Sequence, residues 1–167
     1  MTASGPTILV VGAGPAGVRA AQTLVAAGLR PIVVDEGARA GGQIYRRPPE
    51  GFLRPAQALY GFEARKAAAL HRAFDEMARA GLLIHLPCRS VIALASGRAQ
   101  VLGEDSRRWI AYDRLILATG ATDRVAPAPG WESAGVYTLG AMQIALKAQG
   151  VALGRRIVLA GSGPLLT

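Results

Sequence analysis

Residues 7–17 read T-I-L-V-V-G-A-G-P-A-G, an order that few folds accommodate. Ile8, Leu9, Val10 and Val11 form an unbroken apolar run, the pattern of a strand buried on both faces of a parallel sheet. Gly12, Gly14 and Gly17 complete a G-x-G-x-x-G turn, and a helix is expected from Pro15 to about Ala27. Gly12 permits the tight turn. Gly14 lets backbone approach a pyrophosphate, with Pro15 and Ala16 beside it, and Gly17 lets the helix sit close on the strand. The helix N-terminus adds free N–H groups and the positive end of a dipole, both favourable to a dianionic pyrophosphate.

A second apolar strand is expected over 31–34, running into Asp35 and Glu36. Glu36 lies about twenty residues past the glycine turn, where an acid accepts hydrogen bonds from both ribose hydroxyls of an adenosine. The same carboxylate repels a 2′-phosphate, which argues against NADP at this site. The plainer alternative is that Glu36 only begins a solvated loop. Strand, turn, helix and acid in one register point instead to dinucleotide binding.

Residues 37–49 are rich in glycine and proline and are expected to be loop. Gly41 and Gly42 would let backbone pass close to the phosphates; Arg46 and Arg47 could meet anions, though solvation is the expectation for them. From about 55 to 80 the pattern turns helical, with Leu59, Phe62, Leu70, Phe74 and Met77 on one face. Gly61 weakens the start of that helix, and Gly81 is a plausible C-terminal stop. His71 and His85 are expected to be surface or partly packed residues and not catalytic bases. Short runs at 91–94, 99–102 and 109–112 suggest an antiparallel meander attached to the main sheet. A buried strand over 113–118 ends at Gly120, an irregular linker follows through Pro127 and Pro129, and a helix is expected over 140–148. Residues 155–164, R-R-I-V-L-A-G-S-G-P, repeat the strand-and-glycine pattern. Leu166 stands where the third glycine would be, which disfavours tight nicotinamide dinucleotide (NAD(P)) binding there.

At 167 residues the chain is long enough to bury a core, and with 18% charged residues it is not the composition of a disordered chain. The net charge is +8, almost all of it from arginine, since Lys66 and Lys147 are the lysines. The arginines are scattered and no basic aromatic platform accompanies them, so a nucleic-acid footprint is disfavoured. They could also help retain an anionic cofactor or an acidic partner. Cys88 stands alone, so there is no internal disulfide and no C-x-x-C redox or zinc pair; no metal site is expected. No secretory signal is visible and no apolar run is long enough to span a membrane. A cytoplasmic setting is expected.

Taken together, G-A-G-P-A-G (12–17), Glu36, G-G-Q (41–43), A-T-G (118–120) and the second glycine turn resemble the two-dinucleotide-domain flavoprotein oxidoreductases, a pyridine nucleotide-disulphide oxidoreductase-like superfamily. G-G-Q-I-Y-R (41–46), A-T-G-A-T-D-R (118–124), P-A-P-G-W (127–131), G-V-Y-T-L-G-A (135–141) and A-G-S-G-P-L-L (160–166) are similar to one branch of it. That branch holds the flavin subunits of hydrogen cyanide synthase, opine oxidases and D-hydroxyproline dehydrogenase.

The resemblance implies an α/β fold: a Rossmann-like FAD-binding domain over 1–150, with a parallel sheet and an antiparallel β-meander. Residues 151–167 would be the first strand and glycine turn of an incomplete, second nicotinamide-type domain. FAD is the implied cofactor. Gly12, Gly14 and Gly17 would take its pyrophosphate and Glu36, beside Asp35, its adenosine ribose. Gly42 and Gln43 would lie along it, backbone at Val91 would meet the adenine, and Ala118, Thr119 and Gly120 would close over the site. The implied chemistry is oxidation of an amino or imino acid, or a secondary amine, to an imine with flavin as hydride acceptor. Electrons would leave through partner subunits, often carrying an iron–sulfur centre. No residue maps onto a redox-active cysteine pair, and no catalytic acid or base can be assigned. The family pattern also includes a returning Gly-Asp segment beyond these residues. The alternatives are therefore a non-catalytic dinucleotide-binding module and an inactive N-terminal fragment.

Overall fold

The computed structural model describes residues 5–125 and 127–161. Its framework is a parallel sheet of four strands in the order β3-β2-β1-β7, from β1 (Ile8–Val11), β2 (Ile32–Val34), β3 (Ile84–Leu86) and β7 (Arg114–Leu117). β1 lies between β2 and β7, with Leu9 opposite both Ile32 and Leu115. Helix α1 (Pro15–Ala26) connects β1 to β2. Between β2 and β3 run α2 (Ala56–Tyr60), a 3-10 turn (Gly61–Glu63) and α3 (Ala64–Arg79).

Alternation along β1 divides the core into two layers, because successive side chains leave a strand on opposite faces. Val10 and Val33 point to the helical side, where they meet Val18 and Ala21 of α1 and Leu70, Phe74 and Met77 of α3. Leu9, Val11 and Val34 point the other way, onto Ala99 and Val101. Those two belong to a separate antiparallel sheet, β4 (Ser90–Ala95), β5 (Arg98–Leu102) and β6 (Arg107–Ala111), in the order β4-β5-β6. The expected meander is present, but it is packed across the parallel sheet and is not joined to it by strand pairing. Period-2 patterning reveals that a strand has a buried face; it carries no information on which surface covers that face.

Three further expectations need correction. The single helix over 55–80 is interrupted at Gly61, which adopts φ +54°. The 3-10 turn that follows shifts the helical phase, and Phe62, expected in the core, is 90% exposed. Among the described residues the strand before Gly120 is an edge strand and not a buried one: β7 pairs with β1, and its last residue, Leu117, is exposed. Finally, the apolar run at 157–159 forms no strand; Val158 is 94% exposed. A strand exists through its partners, and none reaches this run among the described residues. Ser162 to Leu166, the rest of the second glycine turn, lie outside the described residues.

The region after β7 holds a short helix, α4 (Leu139–Gln143), continued by a π-helical turn (Ile144–Ala148). Thr138 caps it by accepting a 3.0 Å hydrogen bond from the Ala141 N–H. No helix among the described residues is long and apolar enough to cross a membrane.

Candidate functional site

A parallel sheet leaves a crevice at the carboxyl ends of its strands, where the connections to the helices diverge. Here the loops after β1, β2 and β7 border one cavity of about 880 Å³. Gly12, Gly14, Pro15 and Ala16 contribute from the first loop, Asp35, Glu36, Gly42 and Gln43 from the second, and Ala118, Thr119 and Gly120 from the third. Val91 reaches the same cavity from β4, beside a bulge in the pairing with β5 between Val91 and Ala93. Gly17 is the one predicted site residue that stands behind the wall.

The glycines are held by close approaches. A Cβ on Gly12 would stand 2.3 Å from the carbonyl oxygen of Ala118, and the residue adopts φ +100°. A Cβ on Gly17 would stand 1.8 Å from the Gly12 oxygen, so α1 is seated directly on the turn. A Cβ on Gly42 (φ +60°) would fall 2.8 Å from the Gly14 Cα. The glycine turn and the glycine pair thus meet across the floor of the cavity. At Gly14 itself the nearest such atom is 3.7 Å away, which leaves the cavity side of that residue open.

The start of α1 is bare. Gly14 is its N-cap and offers no side chain to the first turn, which also carries no acid. The donors at this end thus have no side-chain acceptor of their own and border the cavity. Asp35 is committed elsewhere: its Oδ2 accepts from the Ala13 N–H at 2.5 Å and its Oδ1 from the Gly37 N–H at 2.7 Å. That leaves neighbouring Glu36, exposed at the cavity wall, as the free carboxylate of the pair. Across the cavity Gln43 Nε2 donates to the Ala121 carbonyl at 2.6 Å, tying the loop after β2 to the loop after β7. Gly140 N–H donates to Asp123 Oδ2 at 2.5 Å, which fixes that loop to the start of α4.

The loop carrying Gly42 is braced from behind by the helical layer. Arg47 makes a bidentate ion pair with Asp75 of α3, at 2.8 and 2.9 Å, and donates through Nε to the Ala40 carbonyl at 3.0 Å. The expected solvated arginine is therefore a structural clamp. His71 Nε2 lies 2.8 Å from the Tyr45 carbonyl. Burial holds this histidine below its ordinary pKa of 6.5, opposed by that hydrogen bond. The Tyr45 hydroxyl donates to Glu63, which raises the phenol's pKa, with burial adding to the effect. His85 packs edge-on against Phe74 with ring centroids 4.9 Å apart. Neither histidine borders the cavity.

Sequence reasoning missed Arg39, Arg89 and Asp123 as cavity residues, and favoured solvation over an anion contact for Arg46, which also borders the cavity. Arg89 directly precedes β4, where nothing local marks it, whereas Asp123 and Arg46 sit at the ends of the A-T-G-A-T-D and G-G-Q-I-Y-R segments. Among the described residues no group of three or more His, Cys, Asp or Glu is placed to hold a metal ion.

Comparison with known proteins agrees with this architecture. The chain is 41% identical to an opine oxidase subunit of Rhizobium meliloti over 170 aligned residues, covering 95% of this chain and 31% of that one. It is 34% identical to the hydrogen cyanide synthase subunit HcnB of Pseudomonas protegens, over 95% of this chain and 34% of the relative. The chain thus spans about a third of the length of these relatives. L-proline dehydrogenase of P. horikoshii shares the fold, with a TM-score of 0.71 over 90% of this chain, 30% of that chain and 22% identity. The sequence pattern of one family matches residues 6–165, nearly the whole of the chain. The protein therefore belongs to the pyridine nucleotide-disulphide oxidoreductase family, the FAD-dependent oxidoreductases.

Proposed function

We propose that these residues form the FAD-binding part of an oxidoreductase subunit that converts an amino or imino acid, or a secondary amine, to an imine. The observation that carries this reading is the convergence, on one cavity, of an uncapped helix start, a free carboxylate at the end of β2 and the glycine pair. The residues present fit the cofactor: close backbone approaches at Gly12 and Gly42 build a cavity floor free of side chains, and phosphate oxygens could accept from the bare helix start.

In this reading Gly12, Gly14, Pro15, Ala16 and Gly17 shape the pyrophosphate site. Glu36 accepts from the adenosine ribose hydroxyls, while Asp35 holds the turn that presents it. Backbone at Val91 borders the adenine. Gly42 and Gln43 lie along the cofactor, and Ala118, Thr119 and Gly120 close the other wall. FAD, when bound, supplies the two-electron acceptor. A hydride leaving the carbon beside the substrate nitrogen, with a proton leaving that nitrogen, yields the imine. The chain's part is to position the cofactor and keep bulk water from one of its sides.

Residues 1–150 are assigned to the FAD-binding domain, and 151–167 to the beginning of a second, nicotinamide-type domain. Electrons would pass to a separate protein of the same complex, an idea supported by the relatives' being named as subunits; an iron–sulfur carrier there and a cytoplasmic location belong to the same proposal. The test is the visible spectrum of the purified chain after addition of FAD and removal of the excess. A retained, shifted flavin band supports the reading, and bleaching by candidate amines would then identify the substrate class. A retained band that no amine bleaches favours a non-catalytic dinucleotide module. A colourless chain refutes cofactor binding by these residues.

A further inference from the structure

Four arginines border the cavity, and three of them have partners. Arg47 is paired with Asp75. Arg39 donates to the Pro48 carbonyl, and Arg89 donates to Ser106 Oγ at 3.0 Å. Arg46 differs. Its side chain is half-buried at the cavity wall, and among the described residues it makes no hydrogen bond and no ion pair.

The backbone beneath that free guanidinium is fixed. Tyr60 Oη donates to the Arg46 carbonyl at 2.9 Å, His71 lies 2.8 Å from the preceding carbonyl, and Arg47 clamps the following residue to α3. A cation on a rigid base costs little further order to engage a ligand. No carboxylate among the described residues forms an ion pair with it. Lys147 Nζ donates to the Ile44 carbonyl at 3.2 Å, and its pKa is lowered first by burial and then by the charge of Arg46. Of the carboxylates on the cavity, Asp35 and Asp123 accept from backbone N–H groups, and Glu36, exposed at the wall, makes no ion pair with Arg46. A half-buried arginine on a fixed base that borders the cavity, and is paired with none of its carboxylates, is free to engage an oxyanion brought by a ligand.

We infer that Arg46 is the oxyanion receptor of this cavity, pre-positioned by α2 and α3 to take a phosphate or carboxylate group from the ligand. This rests on the FAD reading for the identity of the ligand, but not for the site itself. The oxyanion has two possible sources, the cofactor's pyrophosphate and a carboxylate on the substrate.

The experiment compares the wild-type chain with Arg46→Gln, Arg46→Lys and, as a control away from the cavity, Arg114→Gln. Each is titrated with FAD, inorganic pyrophosphate and succinate, followed by flavin fluorescence and by NMR shifts. If the cofactor is the source, Arg46→Gln weakens FAD and pyrophosphate about tenfold or more, with partial recovery in Arg46→Lys. If the substrate is the source, FAD binding is unchanged and succinate binding falls by the same factor. Wild-type binding of pyrophosphate or succinate that depends on Arg46, without any FAD binding, upholds the receptor and overturns the FAD reading. Affinities for all three ligands that are the same in wild type and Arg46→Gln, or no anion bound by the wild type, overturn the inference.

Discussion

Two stretches of this chain are spelled almost alike and end in different states. T-I-L-V-V-G-A-G at 7–14 becomes the innermost strand of the sheet, with Leu9 and Val10 wholly buried. R-I-V-L-A-G-S-G at 156–163 has the same apolar run before its glycines, yet Ile157, Val158 and Leu159 are exposed and unpaired among the described residues. The local propensities are nearly equal, so propensity does not decide the outcome. What differs is company. β1 has a parallel neighbour on each side, α1 and α3 on one face and the meander on the other.

The contrast can be pressed by substitution. Gly17→Val should have the largest effect, because its first carbon alone would sit 1.8 Å from the Gly12 oxygen. A loss of about 4 kcal/mol or more, read as a molten chain in calorimetry, is expected. Leu9→Ala empties a site between the two sheets and should cost about 3 kcal/mol in urea unfolding. Asp35→Ala strands the N–H groups of Ala13 and Gly37 and should cost about 2 kcal/mol.

A smaller, pH-dependent effect is expected from His85. Burial lowers its pKa in the folded state, so protons bind the unfolded chain first. Its penalty should be absent above the unfolded value of 6.5 and grow as pH falls below it, levelling off once the folded pKa is passed. Comparing His85→Phe with wild type across that range should show a flatter acid limb for the variant. Val158→Asp should do least, within about 0.5 kcal/mol of wild type. A large loss there would mean the second stretch has partners after all, and the comparison with β1 would fail.

Much of the framework is legible in the residues themselves. The three glycines are spaced as close packing demands, and the acid after β2 is where the crevice places it. The rest depends on distance in space. Nothing around Arg47 announces Asp75, and local sequence alone makes that arginine a solvated one. Phe62 holds a helical core position until Gly61 changes the phase of the helix. The meander shows its strands but not its layer, since the partners of Ala99 and Val101 lie on β1 and β2. Arg46 is visible as a residue, whereas its lack of a partner is a property of the assembled surroundings.

The pairing of β1 with β7 also sets an order in time. Thr7 and Asp113, which bond to each other through both backbone and side chain, are 106 positions apart. At a ribosomal rate of about 5–20 residues per second, roughly 5 to 20 s separate their synthesis. Throughout that interval Gly12 has no Ala118 oxygen against it, and Gln43 has no Ala121 carbonyl to grip. The Ala118–Ala121 wall of the cavity is thus translated seconds after the glycine turn it faces. A ligand that needs both walls can therefore act only after that interval, on a chain in which β7 has already joined β1.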